Sequence, residues 1–166
     1  MRARDLAVEY ETVSVDSDAM DAARLMAEHK LPGLLVLDER GRPKAILPAS
    51  QMIHLLVPAY VIEDPTLAAA VDEKHAGRLY EALAGRRVGD CLSNKAAPPP
   101  TADPDDTALE VAALMAQVHS PLVAVAEKVQ AGPGGQEQGG TRLLGVITAS
   151  HLLHELLGAA GALSST

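Results

Sequence analysis

Apolar and polar positions along the chain follow one pattern written twice. Between residues 16 and 27, Ala19, Ala22, Ala23, Met26 and Ala27 recur at three- and four-residue steps, which places them on one face of a helix. Ala108, Val111, Ala112, Met115 and Ala116 repeat the spacing in the second half. Asp or Thr capping signals precede both helices, and short extended pieces at residues 12–15 and 100–102 lead into them. Pro32 and Pro121 then break the chain out of the helix. The runs 34–37 and 122–125 are continuously apolar, as strands covered on both faces are. Second strands are predicted at 45–47 and 143–147, with a hairpin turn at 38–42 in the first half. A last helix starts at Ala49 or Ala149. It carries Met52, Ile53, Leu55 and Leu56 in one copy and Leu152, Leu153, Leu156 and Leu157 in the other.

The order is β-α-β-β-α, twice. Asp16, Ala19, Ala23, Leu25, Met26 and Ala27 meet identical residues 89 positions later, as do Pro32 and Val36. Ala49, Ser50, His54 and Leu56 meet theirs at an offset of 100. The second copy therefore holds eleven more residues, most of them in the Gly-rich stretch 131–141, which has the composition of a flexible loop. The fold class is α/β with an α+β-like order, and the two repeats are expected to pack as an intramolecular pair. One such unit buries only one face of its sheet well, and two can cover each other. The predicted division is a first repeat at 1–62, a helical connector and lead-in at 63–97, a second repeat at 98–160 and a tail at 161–166. Within the connector, residues 67–71 and 79–83 suggest one or two helices.

Composition narrows the function. Hydrophobic residues make up 48% of the 166, yet there is no Phe or Trp and only three Tyr, so the core is aliphatic. Aromatic stacking platforms for single-stranded nucleic acid are excluded on that ground. The net charge of −8 disfavours phosphate backbones and anionic membranes, leaving room only for a local basic pocket. No apolar run approaches the ~20 residues that span a bilayer. No secretion signal opens the chain, and its single cysteine, Cys91, forms no intramolecular disulfide. A cytoplasmic protein without direct membrane insertion is expected.

Taken together, the Asp/Thr-capped helix ending in Leu-Met, the Pro before a Val-rich strand and the Gly-Val-Ile-Thr turn into a Leu-Leu helix resemble CBS domains. Both copies match. The leading segments Arg4-Asp5-Leu6 and Val88-Gly89-Asp90-Cys91-Leu92 extend the likeness over most of the chain, and residues 144–153 are its most specific stretch. The resemblance implies a tandem pair that dimerises into a disc and has no catalytic residues. Its clefts would bind an adenosine nucleotide (AMP, ADP or ATP) or S-adenosylmethionine as a regulatory ligand, with no cofactor required. The implied partners are a second copy of the chain and an enzyme or membrane transporter.

In that family a Thr or Ser hydroxyl meets phosphate, and an Asp three residues later accepts both ribose hydroxyls. Thr148 keeps the first role here, and His151 stands where the Asp would be. A neutral imidazole offers one acceptor and cannot chelate a diol. In the first copy Pro48 and Gln51 hold the two positions, and Ala45 replaces Gly145. Pro121, Leu122 and Val123 resemble the adenine-side wall, with Thr101 and Ala102 as further candidates. Pro32, Gly33 and Leu34 form the corresponding, weaker wall in the first copy. Arg142, Arg86 and Arg87 are either cation suppliers or ordinary surface charges. His151, His154 and Glu155 share a helix face by spacing, but His54 repeats His154, so a structural role is the simpler account and no metal is expected. Two functions remain open: a ligand-sensing regulator, and a ligand-free interaction subunit whose nucleotide sites have degenerated.

Overall fold

The computed structural model describes residues 1–70, 79–129 and 140–164. Most of the Gly-rich stretch 131–141 lies outside them, as does Val71 of the connector. The helices are α1 (Ala3–Leu6), α2 (Ala19–His29), α3 (Ala49–Leu56), α4 (Ala59–Glu63), α5 (Val88–Cys91), α6 (Ala108–Val118) and α7 (Ala149–Ser164). The strands are β1 (Thr12–Ser14), β2 (Gly33–Leu37), β3 (Pro43–Pro48), β4 (Thr101–Ala102), β5 (Leu122–Lys128) and β6 (Thr141–Thr148). α4 leads into the connector, whose described residues hold two 3₁₀ segments, Pro65–Ala70 and Leu79–Leu83, followed by α5.

Two three-stranded sheets form, ordered β1-β2-β3 and β4-β5-β6. The repeat is kept at the level of register. Thr12 and Val13 lie opposite Leu35 and Val36 in a parallel pair, and Thr101 and Ala102 lie opposite Ala124 and Val125. The central strands are buried residue after residue, which accounts for their unbroken apolar sequence. Asp18 caps α2 by accepting the Asp21 N–H at 3.1 Å, and Thr107 caps α6 by accepting the Glu110 N–H at 3.3 Å. The buried stripe on each helix is narrower than the spacing suggests. Ala19, Ala22 and Met26 are buried, but Ala27 and its counterpart Ala116 are exposed. Each lies one step of about 100° beyond the last buried Met, at the edge of the stripe.

The chain divides into two compact units that do not follow the sequence order. One comprises Met1–Tyr10, Arg40–Pro43 and Pro98–Thr166, and the other Glu11–Glu39 and Lys44–Ala97. The repeats have exchanged leaders. In the first unit, Ala108 donates its N–H to the Met1 carbonyl (3.3 Å), Ala3 to Asp106 (2.8 Å) and Arg4 to Pro104 (3.0 Å). In the second, Ala19 donates to Arg86 (2.9 Å), Val88 to Ser17 (2.8 Å) and Gly89 to Val15 (2.9 Å). The same three bonds thus dock α1 on the second repeat and α5 on the first. Each leader is closed by one carboxylate. Asp5 takes the Arg2 N–H at 2.9 Å, and Asp90 takes the Arg87 N–H at 3.1 Å.

Each unit has its own core. Ala3 and Leu6 join Ala102, Val111, Met115, Val123, Val125, Ile147 and Leu152. Val88 and Cys91 join Ala19, Ala22, Met26, Leu34, Val36, Ala45, Leu47, Met52 and Leu83. Among the described residues, no polar or charged residue is buried.

Candidate functional site

The second repeat's candidate residues converge where β6 turns into α7. Thr148, the last residue of β6, lies opposite Leu122, the first of β5. Ala149 donates its N–H to the Pro121 carbonyl at 2.8 Å, which ties the start of the helix to the start of the strand. The Thr148 hydroxyl accepts the His151 N–H at 3.2 Å and stands 3.3 Å from the Ser150 hydroxyl. It satisfies one of the four amides that a helix leaves open at its N-terminus. A hydroxyl carries one proton and two lone pairs, so the cap leaves bonding capacity for a further partner. Thr148 and His151 are both half-buried.

Pro121, Leu122, Thr148 and His151 are therefore brought together. Thr101 is exposed one strand away, and its hydroxyl donates to the Pro99 carbonyl at 3.4 Å. Ala102 and Val123 belong to the aliphatic core, so they support the corner without offering a polar group. Gly145 lies three residues up β6, roughly 10 Å from Thr148 at strand rise. A Cβ there would fall 2.8 Å from the Val8 carbonyl oxygen and 3.1 Å from the Ala7 Cβ. Its missing side chain lets Val8 bridge to Val146, with N–H to carbonyl distances of 3.0 and 2.9 Å. In the first repeat Ala45 holds the equivalent place, and Ser93, which follows α5 as Val8 follows α1, accepts from Ala96 instead (2.9 Å).

The first repeat builds the same backbone corner without the hydroxyl. Ala49 donates to the Pro32 carbonyl at 2.9 Å, Pro48 sits at the helix N-cap with no side-chain bond, and Gln51 is half-buried. Leu34 is buried, and a Cβ at Gly33 would stand 3.1 Å from the Leu47 carbonyl.

Two of the three candidate cations are engaged elsewhere. Arg142 pairs with Glu127 at 3.6 Å near the far end of β6, some six residues or about 20 Å of strand from Thr148. Arg87 pairs with Asp16 at 3.3 Å. Burial pushes the Cys91 thiol above its ordinary value, Arg86 opposes this and Asp90 adds to it, so Cys91 is a core residue and a poor nucleophile. Among the described residues no three His, Cys, Asp or Glu gather to hold a metal ion. None of the described helices is long and apolar enough to cross a membrane. The leader exchange escaped the sequence reading, although Arg-x-x-Asp recurs at Arg2–Asp5 and Arg87–Asp90 with an offset of 85 and could have marked it.

The family model described as CBS domain matches residues 3–58 and 88–158, each segment beginning in or at a leader. A CBS domain-containing protein of unknown function from Kribbella flavida is 42% identical, over 95% of this chain and 99% of that one, with a TM-score of 0.81. The CBS domain of a membrane protein from Sphaerobacter thermophilus shares the fold at 23% identity, over 93% and 86% of the two chains (TM-score 0.62). CBSX2, a CBS-pair protein from Arabidopsis thaliana, has been solved in complex with AMP. That complex shares the fold at 16% identity, over 96% and 98% of the two chains, with a TM-score of 0.61. No curated protein is significantly similar in sequence. The chain belongs to the CBS-domain family and carries two copies of that domain.

Proposed function

We propose that this chain is a non-enzymatic regulatory module whose second repeat binds an adenosine nucleotide or a related small ligand at the β6–α7 corner. It modulates a partner enzyme or membrane transporter, and it acts as a cytoplasmic homodimer. The observation that carries this reading is the Thr148 hydroxyl at the N-terminus of the 16-residue helix α7. A helix start concentrates open N–H groups and the positive end of the peptide dipoles, which together favour an anion such as phosphate. The AMP complex of CBSX2 supplies a precedent on the same fold. Regulation would follow from unequal affinity of the ligand for two arrangements of the partner complex.

The test is thermal unfolding against AMP, ADP, ATP, S-adenosylmethionine and NAD. A ligand at one hundred times its Kd adds about 2.7 kcal/mol by mass action, which a melting curve resolves easily. A saturable rise that disappears in Thr148→Ala supports the proposal. No rise with any of them, from a folded protein, favours a ligand-free interaction subunit.

A further inference from the structure

Residues 1–8 open the first repeat in sequence but make their bonds with the second. Their attachments are three backbone bonds to the α6 approach, the two-way bridge of Val8 with Val146, and the buried side chains of Ala3 and Leu6. Arg4 adds an exposed ion pair to Asp105, and the Arg2 guanidinium donates to the Asp105 carbonyl at 2.8 Å. The helix within the segment has four residues, too few to persist in water alone. Docking is therefore cooperative, because the short helix and its attachments form together.

The place of docking gives release a consequence. β6 is the edge of its sheet, and Val8 supplies the partner on its open side two residues before Thr148. Ala3 and Leu6 sit in one cluster with Ile147 and Leu152, the residues that flank the stretch from Thr148 to His151. We infer that residues 1–8 are a strap whose docking sets the order of the β6–α7 corner, so that the second repeat's ligand end is controlled by a segment belonging in sequence to the first. The ligand consequence rests on the function proposed above, and the mechanical part stands without it. By linkage, a ligand that prefers the ordered corner also tightens the strap.

Hydrogen exchange read by mass spectrometry on the full chain tests this, comparing wild type with Leu6→Ala. The expected result is that amides of residues 108–111 and 146–152 exchange at least tenfold faster, while those of 33–37 and 49–56 keep their wild-type rates. Equal acceleration in both repeats, or none in either, overturns the strap. Should Leu6→Ala fail to fold, Leu6→Val removes only part of the buried side chain and is expected to show the same regional pattern a few-fold; a flat profile there also overturns it. Melting with AMP separates the two claims. A regional exchange pattern in a protein whose wild type shows no AMP shift keeps the strap and removes the nucleotide reading. A full AMP shift retained in Leu6→Ala, despite fast exchange at 146–152, overturns control of the ligand end by the strap.

Discussion

Lys30 and His119 close the first helix of their respective repeats in the same left-handed backbone conformation, at φ 52° and 51°. At the first of these ends Lys30 donates to the Ala27 carbonyl and Leu31 to that of Met26 (2.9 Å), which satisfies carbonyls the helix would otherwise leave open. A side chain in this conformation costs roughly 1–2 kcal/mol, and glycine avoids that cost. Glycine also loses about 0.4–1 kcal/mol more entropy on folding. Lys30→Gly and His119→Gly are each expected to stabilise the protein by a net of about 0.5 kcal/mol. The check is a higher urea midpoint with an unchanged slope.

Thr148 serves the helix as well as any ligand, so its substitutions separate two effects. Thr148→Ala removes the cap and is expected to cost about 1 kcal/mol without ligand. Thr148→Asp keeps a good cap but puts a carboxylate where phosphate would sit. Wild-type-like melting of Thr148→Asp, together with loss of the nucleotide shift in both variants, is the expected outcome. A nucleotide shift that survives in Thr148→Asp would place the ligand elsewhere.

The β-α-β-β-α order and the aliphatic cores were legible because local rules decide them. Asp18 and Thr107 cap where capping signals stand, Pro32 and Pro121 end helices, and the apolar runs become buried strands. The corner was legible too, since Thr148 and His151 come from one continuous segment. What was hidden depends on contacts between distant parts of the chain. Nothing local to Arg4 announces Asp105, and nothing local to Gly145 announces Val8. The family pattern alone marks Gly145 as a ligand candidate, whereas the close approach of the strap gives it a packing reason. The connector was legible only in part. Its apolar residues suggested helices at 67–71 and 79–83, and helical segments stand there, but as short 3₁₀ turns at Pro65–Ala70 and Leu79–Leu83, with no buried residue from Ala59 to Ala70 to hold a longer helix together.

His151 stands where the family's ribose-binding Asp would be, and one substitution tests whether that departure matters. A carboxylate accepts from both hydroxyls of a diol, whereas a neutral imidazole accepts from one at most. Asp is also favourable in the first turn of a helix. His151→Asp is therefore expected to increase the AMP-dependent melting shift, with a tenfold gain in affinity corresponding to 1.4 kcal/mol. The 2′,3′-dideoxy analogue, which lacks the diol, should gain nothing. Equal gains for both ligands would rule out a diol contact.

Thr107 and Glu110 close the α6 N-terminus reciprocally, and their bond carries a pH dependence. The Glu110 carboxylate takes the Thr107 N–H at 2.7 Å and the Thr107 hydroxyl at 2.9 Å. The backbone bond first, the hydroxyl second and the nearby Arg2 charge last hold its pKa below the ordinary carboxylate value, with slight desolvation opposing them. A depressed folded-state pKa means a contribution present in full above the unfolded value of about 4.3 and lost as pH falls through the folded one. Glu110→Gln should leave wild type and variant closer in stability below pH 4 than at pH 7. Urea midpoints at the two pH values read the difference.

Gly145→Ala gives the most direct stability test of the exchanged leader. The new methyl would fall 2.8 Å from the Val8 carbonyl oxygen and 3.1 Å from the Ala7 Cβ, and neither neighbour is the end of a flexible side chain. Either β6 shifts, at the roughly 1–3 kcal/mol typical of overpacking, or the strap leaves and its two backbone bonds to Val146 go to water, at about 1 kcal/mol each. Both routes lower the urea midpoint. The reverse change in the first repeat, Ala45→Gly, relieves no such clash, because Ser93 turns into its bond with Ala96. It is expected to cost about 1 kcal/mol through backbone entropy and a lost buried methyl. A Gly145→Ala protein as stable as wild type would mean that Val8 gives way without cost, and that the glycine is there for some reason other than the close approach of the strap.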